Sequence, residues 1–321
     1  MTRRTWMLPV VVFLFLTMGT SRASFRLFDD FEDEDIAPVG GQDGWVSSGG
    51  DNQIVVDPAD PMNQVLYVSS ASSTLRKSLL NEEVVIPDGT VRMMFMRLRV
   101  SDKQTFSVGV SGLTSPTEFS DFATEIGMAN SSHNLDLRVW NEAEGNYEVL
   151  TQLESNKWYN MWVLVDTSKN HYKIWLNDVP GASAAPSDQL AAPDGGQTFG
   201  FRSGTQSSLR TFYIKTAGGS SGPNSGPIYL DAIYLENASS VSLWNPTACG
   251  HMLDVDADCD VDRDDLVAFE DCVSGPAIPQ TDPGCRWARL DEDDDVDQSD
   301  FGVFQRCYSG KDIPARPDCA S

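Results

Sequence analysis

Lys157 to Asp178 reads KWYNMWVLVDTSKNHYKIWLND, and its side chains alternate in twos on either side of a polar centre. Trp158, Trp162 and Leu164 fall on one face of the first half, with Met161, Val163 and Val165 on the other. After a turn near Ser168–Asn170, Tyr172, Ile174 and Leu176 alternate with Lys173, Trp175 and Asn177. A period of two is that of a pleated strand, whose successive side chains point to opposite faces. The stretch therefore predicts a β-hairpin.

The same period runs outward from it. Met94, Met96, Leu98 and Val100 share one face of the Val91–Val100 stretch, while Arg97 and Arg99 share the other. Thr105 to Val110, Asn134 to Trp140, Gln197 to Arg202 and Leu209 to Lys215 continue the alternation, punctuated by Gly, Pro, Asn, Asp and Ser. Many short strands over residues 24–238 predict one antiparallel sandwich rather than several small domains. The loop AGGSSGPNSGP, Ala217 to Pro227, has the composition of a linker. Cutting there would strand PIYLDAIYLE, Pro227 to Glu236, as a β-segment unable to stay folded alone. The linker is therefore placed at residues 239–248.

The hairpin resembles that of concanavalin A-like (laminin-G-like) jelly rolls. There, a Trp-Tyr strand returns through a polar turn to a strand ending in Asn/Asp. FRLFDDFE (Phe25 to Glu32) and PIYLDAIYLE resemble the first and last strands of that fold. The resemblance implies that these two strands lie side by side, and that Asp30, Glu32 and Asp231 come together to hold a structural calcium.

At the N-terminus, Arg3 and Arg4 precede an apolar run from Trp6 to Leu16, followed by Ser21-Arg22-Ala23. This is the pattern of a cleavable export signal over residues 1–23, the apolar run falling short of the roughly 20 residues that span a bilayer. The expected location is secreted, extracellular or at the cell surface, with no membrane span in the mature chain. The six cysteines Cys249, Cys259, Cys272, Cys285, Cys307 and Cys319 cluster after residue 248, as disulfides do in a small exported module. The duplication described next suggests Cys272–Cys285 and Cys307–Cys319, leaving Cys249–Cys259. The formal charge is −24, and residues 249–321 hold 19 acidic against 6 basic residues. Nucleic acid and anionic membrane surfaces are excluded as partners on that balance.

DVDADCDVDRDDLVAFEDC, from Asp254, is repeated as RLDEDDDVDQSDFGVFQRC, from Arg289, at an offset of 35 residues. Carboxylates at every second position repel one another unless a hard cation sits among them. Calcium is held by oxygens at positions 1, 3, 5, 7, 9 and 12 of an EF-hand loop. In the first repeat these are Asp254, Asp256, Asp258, Asp260, Asp262 and Asp265, with Asp260 offering its carbonyl; in the second they are Asp291, Asp293, Asp295, Asp297 and Asp300, with Asp295 offering its carbonyl. Position 1 of the second loop is Arg289, which predicts weaker binding there. Position 6 is Cys259 or Asp294, where calcium loops need Gly. Two such loops, each followed directly by a helix, resemble the type I dockerin module. That resemblance implies Ca2+ as cofactor and a cohesin-like protein or cell-surface component as partner, bound by residues 249–321.

The sandwich carries two competing functions. Glycoside hydrolases of this jelly-roll fold commonly carry Glu-x-Asp-x-x-Glu, an acid and a nucleophile about 5.5 Å apart on one strand, and no such run occurs. Glu125, Glu142, Glu144 and Glu148 read as solvated carboxylates. Glycan binding needs only an aromatic plate with polar neighbours, and Trp140, Tyr147 and Trp175 are the candidates. The expected protein is mostly β: an antiparallel jelly-roll β-sandwich with a small C-terminal α-helical calcium-loop module. Its expected role is non-catalytic carbohydrate or surface recognition linked to polysaccharide; the alternatives are a glycoside hydrolase or lyase, or a structural, adhesive envelope protein.

Overall fold

Period-two alternation resolves into seventeen strands among the residues that the computed structural model describes. These are residues 25–310 apart from 33, 59, 81–83, 130–133, 207, 218–225, 237–241, 244, 250–252, 256–260 and 292, and apart from the side chains at 62, 248, 249 and 283. The first nine are β1 (Phe25–Asp29), β2 (Val46–Gly49), β3 (Gln53–Asp57), β4 (Asp60–Val68), β5 (Ser73–Ser78), β6 (Ile86–Pro87), β7 (Val91–Val100), β8 (Thr105–Ser111) and β9 (Ile126–Met128). They are followed by β10 (Asp136–Asn141), β11 (Asn146–Gln152), β12 (Trp158–Asp166), β13 (His171–Asn177), β14 (Phe199–Gly200), β15 (Ser208–Leu209), β16 (Thr211–Ala217) and β17 (Ile228–Glu236). Helices α1 (Arg263–Cys272) and α2 (Gln298–Cys307) come last.

The larger sheet runs β14-β13-β12-β7-β17-β4-β3, with β1 added along β17. The smaller runs β11-β10-β9-β8-β16-β5-β2. All pairings are antiparallel, and the two sheets make a jelly-roll-like β-sandwich. The hairpin is β12–β13, paired from Asn160↔Asn177 to Asp166↔His171. The opening and closing strands do lie side by side, Phe25 opposite Glu236. Because β17 pairs with β4, β7 and β1, the glycine-rich stretch before it lies within the sandwich sequence.

Side chains of one parity fill the layer between the sheets. Met94, Met96, Leu98 and Val100 of β7 meet Met161, Val163 and Val165 of β12, with Phe106, Val108, Ile126, Leu137, Val139, Phe212 and Ile214 from the other sheet. The opposite parity of the larger sheet forms a second apolar cluster: Phe25, Met93, Phe95, Trp162, Trp175 and Ala232, with Leu164, Tyr234, Ala184 and Leu243 packed on it. Leu243 and Asn245, from the segment expected as linker, are tied down there. The Ala184 amide donates to the Leu243 carbonyl (2.8 Å), and Asn245 Nδ2 donates to the Ala182 carbonyl (3.1 Å).

Gln197 to Arg202, expected as a full strand, contributes only Phe199–Gly200. The reason is local: the amides of Arg202 and Ser203 bond to the carbonyls of Ala123 and Phe122, and the chain then turns at Gly204 with φ +69°. The C-terminal segment has a core of its own, in which Leu253, Val261, Phe269, Cys272, Cys285, Ala288, Val296, Phe304 and Cys307 are buried together. Among the described residues no helix is long and apolar enough to cross a membrane.

Glu236 ends β17 in a buried position, its Oε2 accepting the Met93 amide at 3.1 Å. Desolvation pushes its pKa up to about 8, against the pull of the Met93 and Ser242 amides and of Arg92. A carboxyl raised in this way stabilises the fold while protonated, and that contribution is lost as pH climbs from 4.5 through about 8. Glu236→Gln is expected to match the parent protein below pH 4.5 and to exceed its stability by about 1–2 kcal/mol at pH 9, after discounting for partial solvation. Thermal denaturation of both proteins across that range checks it.

Candidate functional site

On the smaller sheet, the parity facing away from the core gathers an acid, two guanidiniums and two aromatic rings. Two glycines make the arrangement possible. A Cβ on Gly109 of β8 would stand 1.9 Å from the Thr124 carbonyl oxygen, and one on Gly127 of β9 would stand 1.9 Å from that of Phe106. The chain therefore lies flat on β8 just before β9, and Glu125 is delivered onto the sheet. Tyr172 fixes it from beneath: its buried hydroxyl donates to the carbonyls of Glu125 (3.0 Å) and Trp140 (2.8 Å). The Trp140 amide also bonds to the Glu125 carbonyl, at 3.2 Å.

The Glu125 side chain is 1 % exposed. Its Oε1 accepts from Ser107 Oγ and Tyr147 OH, both at 2.8 Å, and its Oε2 pairs with Arg202 Nη1. Arg202 also donates to Tyr147 OH and places its guanidinium 4.5 Å from the Trp140 ring centroid. Trp140 and Tyr147 face each other across β10 and β11, edge to face with centroids 5.1 Å apart. Arg138, two residues before Trp140 on β10, lies 3.8 Å from the Tyr147 centroid. Desolvation, reinforced by Glu125, pushes the Tyr147 pKa up to about 12, so its hydroxyl remains a donor.

The other expected positions distribute differently. Trp175, expected as a sugar plate, is 7 % exposed beneath the second apolar cluster, which removes its ring from the surface. Asp30, Glu32 and Asp231 are not brought together as a calcium site. Asp231 pairs with Arg97 (3.0 Å) and Asn63 (3.3 Å), while Glu32 Oε1 caps the Gln64 amide (2.8 Å) and Asp30 Oδ1 accepts the Glu32 amide (3.3 Å). A different acidic group forms nearby from Asp29, Glu34 and Asp43. The buried Lys77 ammonium bonds to Asp29 (2.9 Å), to Asp43 and to the Phe28 carbonyl, and so serves as its counter-ion.

In the C-terminal segment the repeat is visible bond for bond. Asp262 Oδ1 caps the Asp264 amide and Asp297 Oδ1 the Ser299 amide, each at 2.7 Å. The fully buried Asp265 and Asp300 accept the amides of Asp262 and Asp297, each at 2.8 Å, and, ten residues back, those of Val255 (2.6 Å) and Leu290 (2.5 Å). Both halves then interlock. Ser274 and Gly275 donate to the Val296 carbonyl, and Ser309 and Gly310 donate to that of Val261. Cys272–Cys285 is a disulfide, and Cys307 is also disulfide-bonded. Asp256, Asp258, Asp260, Cys259, Cys319 and the side chain of Cys249 lie outside the described residues.

The second loop fits a hard cation. Carboxylate oxygens of Asp293, Asp295 and Asp300 lie within 4.8 Å of one another, as do those of Asp291, Asp297 and Asp300. Asp295, expected to offer only its carbonyl, turns its carboxylate into the first group, where Oδ1 is buried without a hydrogen-bond partner. Asp291 and Asp295 both have raised pKa values, from desolvation first and neighbouring carboxylates next. Arg289 turns aside to the Gln280 carbonyl and to Asp294 (3.5 Å).

No family model matches the chain, and no curated protein matches it. Among solved structures, the chain is similar to the catalytic domain of a glycoside hydrolase family 131 protein from Coprinopsis cinerea: 12% identity, 69% of this chain, 98% of that one, TM-score 0.42. The corresponding figures are 13%, 61%, 82% and 0.37 for the catalytic domain of a family 131 β-glucanase from Podospora anserina. For the botulinum neurotoxin serotype D binding domain they are 10%, 68%, 49% and 0.37, so the chain spans about half of that domain.

Trp140 and Tyr147 were legible from the sequence as a cross-turn aromatic pair, whereas Glu125, Arg138 and Arg202 were not. Glu125 and Arg202 are 77 residues apart, and Arg202 sat in what read as a strand. The signal available was Gly109 and Gly127, small residues in strands that mark a close approach of backbone. Removing Arg202 leaves Glu125 buried without its counter-charge, so Arg202→Met is expected to lower stability by about 3 kcal/mol. Adding Glu125→Gln is expected to restore much of the loss; urea unfolding of the parent, the two single variants and the double variant measures both.

Proposed function

We propose that the sandwich recognises a carbohydrate on the outer face of its smaller sheet, at Trp140, Tyr147, Arg138 and Arg202, without cleaving it. The observation that carries this reading is the Glu125 network. A rigid floor of hydrogen bonds holds two half-buried rings and two guanidiniums at the surface, the mixture of apolar plate and oriented donors that sugar rings require. Hydrolysis asks for a carboxylate able to exchange a proton or attack carbon. Both oxygens of Glu125 are engaged by Ser107, Tyr147 and Arg202, which favours recognition over catalysis.

The C-terminal segment supplies the second part of the proposal. Asp291, Asp293, Asp295, Asp297 and Asp300 hold calcium in the second loop, and Asp254, Asp256, Asp258, Asp260, Asp262 and Asp265 in the first. The ion neutralises carboxylates that otherwise repel, and each closing aspartate ties it to the first turn of a helix. The segment then docks an exported chain to a cohesin-like protein or a cell-surface component. A site filled a thousandfold above its Kd adds about 4 kcal/mol, comparable with the whole stability of so small a unit.

Two outcomes are expected. On a glycan array the full chain binds at least one class of oligosaccharide, and Trp140→Ala weakens it about tenfold or more with the far-UV circular dichroism unchanged. Equal binding by the variant, or no binding by either protein, overturns the first part. Hydrogen exchange of the full chain with a calcium chelator is expected to show loss of protection at 263–272 and 298–307 with the sandwich unaffected. Unchanged protection overturns the second part.

A further inference from the structure

Arg138 stands apart from the other charged groups of the site. Arg202 is neutralised by Glu125, Lys215 faces Glu118 at 3.9 Å, and on the larger sheet Arg97 and Arg99 pair with Asp231 and Asp57. The Arg138 side chain has no hydrogen bond and no carboxylate within salt-bridge distance among the described residues; its guanidinium rests on the Tyr147 ring, 3.8 Å from the centroid. In a chain of net charge −24, a half-buried guanidinium without an acidic partner is a costly group to keep. Burial lowers its pKa, with Tyr147 and Glu125 opposing that and Arg202 adding to it.

The flanking geometry narrows what it serves. Arg202 already takes the Glu125 carboxylate, so the buried acid of the site is committed. Arg202 lies against Trp140 and Tyr147, and Arg138 against Tyr147, so both guanidiniums sit beside the aromatic pair. A neutral sugar needs open ring faces and gains little from a bare cation. A sugar carrying a carboxylate gains two parallel charge-assisted hydrogen bonds from an arginine fork while its ring packs on the neighbouring aromatics. Tyr147 bears Arg138 on its face and Arg202 on its hydroxyl, so the cationic fork is held beside the plate instead of waving in solvent.

We infer that the site takes an acidic oligosaccharide, with Arg138 reading the carboxylate of a uronic or sialic acid residue beside the Trp140–Tyr147 pair. This deepens the recognition reading above and rests on it. The exposed Glu142 carboxylate accepts from Trp140 Nε1 at 3.0 Å, so a like charge on the ligand is repelled from the indole nitrogen.

The test is titration calorimetry of the full chain with oligosaccharides of galacturonate, glucuronate and sialic acid, each beside its carboxyl-reduced counterpart. In at least one pair the acidic form is expected to bind tighter by roughly tenfold to a hundredfold, the scale of a hydrogen bond to a charged group. Arg138→Met is expected to erase that preference, so that the acidic form binds no tighter than its carboxyl-reduced counterpart. Arg138→Lys, which keeps charge and stem but loses the fork, retains part of it and guards against a folding defect in the first variant. Equal affinity within every pair, or a preference that survives Arg138→Met, overturns the inference and leaves glycan recognition standing. Failure of both members of every pair to bind overturns the two together.

Discussion

Two sheets bury one shared apolar layer, and everything else in the sandwich follows from which side chains that layer claims. Met94, Met96 and Leu98 from one sheet and Phe106, Val108 and Val139 from the other are committed to it by strand parity. Tyr172 belongs to the layer as well, but its hydroxyl reaches through to the carbonyls of Glu125 and Trp140. The position of the candidate site is thus set from inside the core. The outer face of the larger sheet is closed in part by Trp162, Trp175 and the segment around Leu243.

Strand parity explains what was legible. Alternation around Lys157–Asp178 and Val91–Val100 gave the strands, and the resemblance of FRLFDDFE and PIYLDAIYLE to the first and last strands of a jelly roll placed β1 beside β17. Parity tells which residues share a face, but it does not tell whether that face meets water. Trp175 and Trp140 look alike in sequence, each a tryptophan beside an asparagine or a leucine in an amphipathic strand. One is covered by a loop that returns from far along the chain, and the other is not. Glu125 was misread for a related reason. An isolated acid in a Gly-flanked loop has the composition of a surface residue, and only the tertiary approach of Arg202, Tyr147 and Ser107 makes it an interior one.

The C-terminal segment shows the opposite case, in which sequence periodicity carried almost all of the design. An offset of 35 residues fixes the capping aspartates, the closing aspartates and the reciprocal bonds through Val261 and Val296. Each closing carboxylate accepts the amide of its capping aspartate and a loop amide ten residues before it, so the helix start and the loop are coupled at one side chain. Asp295 departs from the repeat logic. Its side chain enters the acidic group because the Ala277 amide, from the connection between the halves, holds its other oxygen at 2.5 Å.

The in-register contact of Phe25 with Glu236 has a mechanical consequence. The first residue of β1 and the last of β17 sit opposite each other in an antiparallel pair, so tension between the two ends of the sandwich pulls across the strands and not along them. Hydrogen bonds loaded in that direction give way one after another, like a zipper, instead of failing together in shear. A chain held at one end and tugged at the other would peel β1 away at low force, while the sheet behind it, anchored by β7 and β4 against β17, keeps its register.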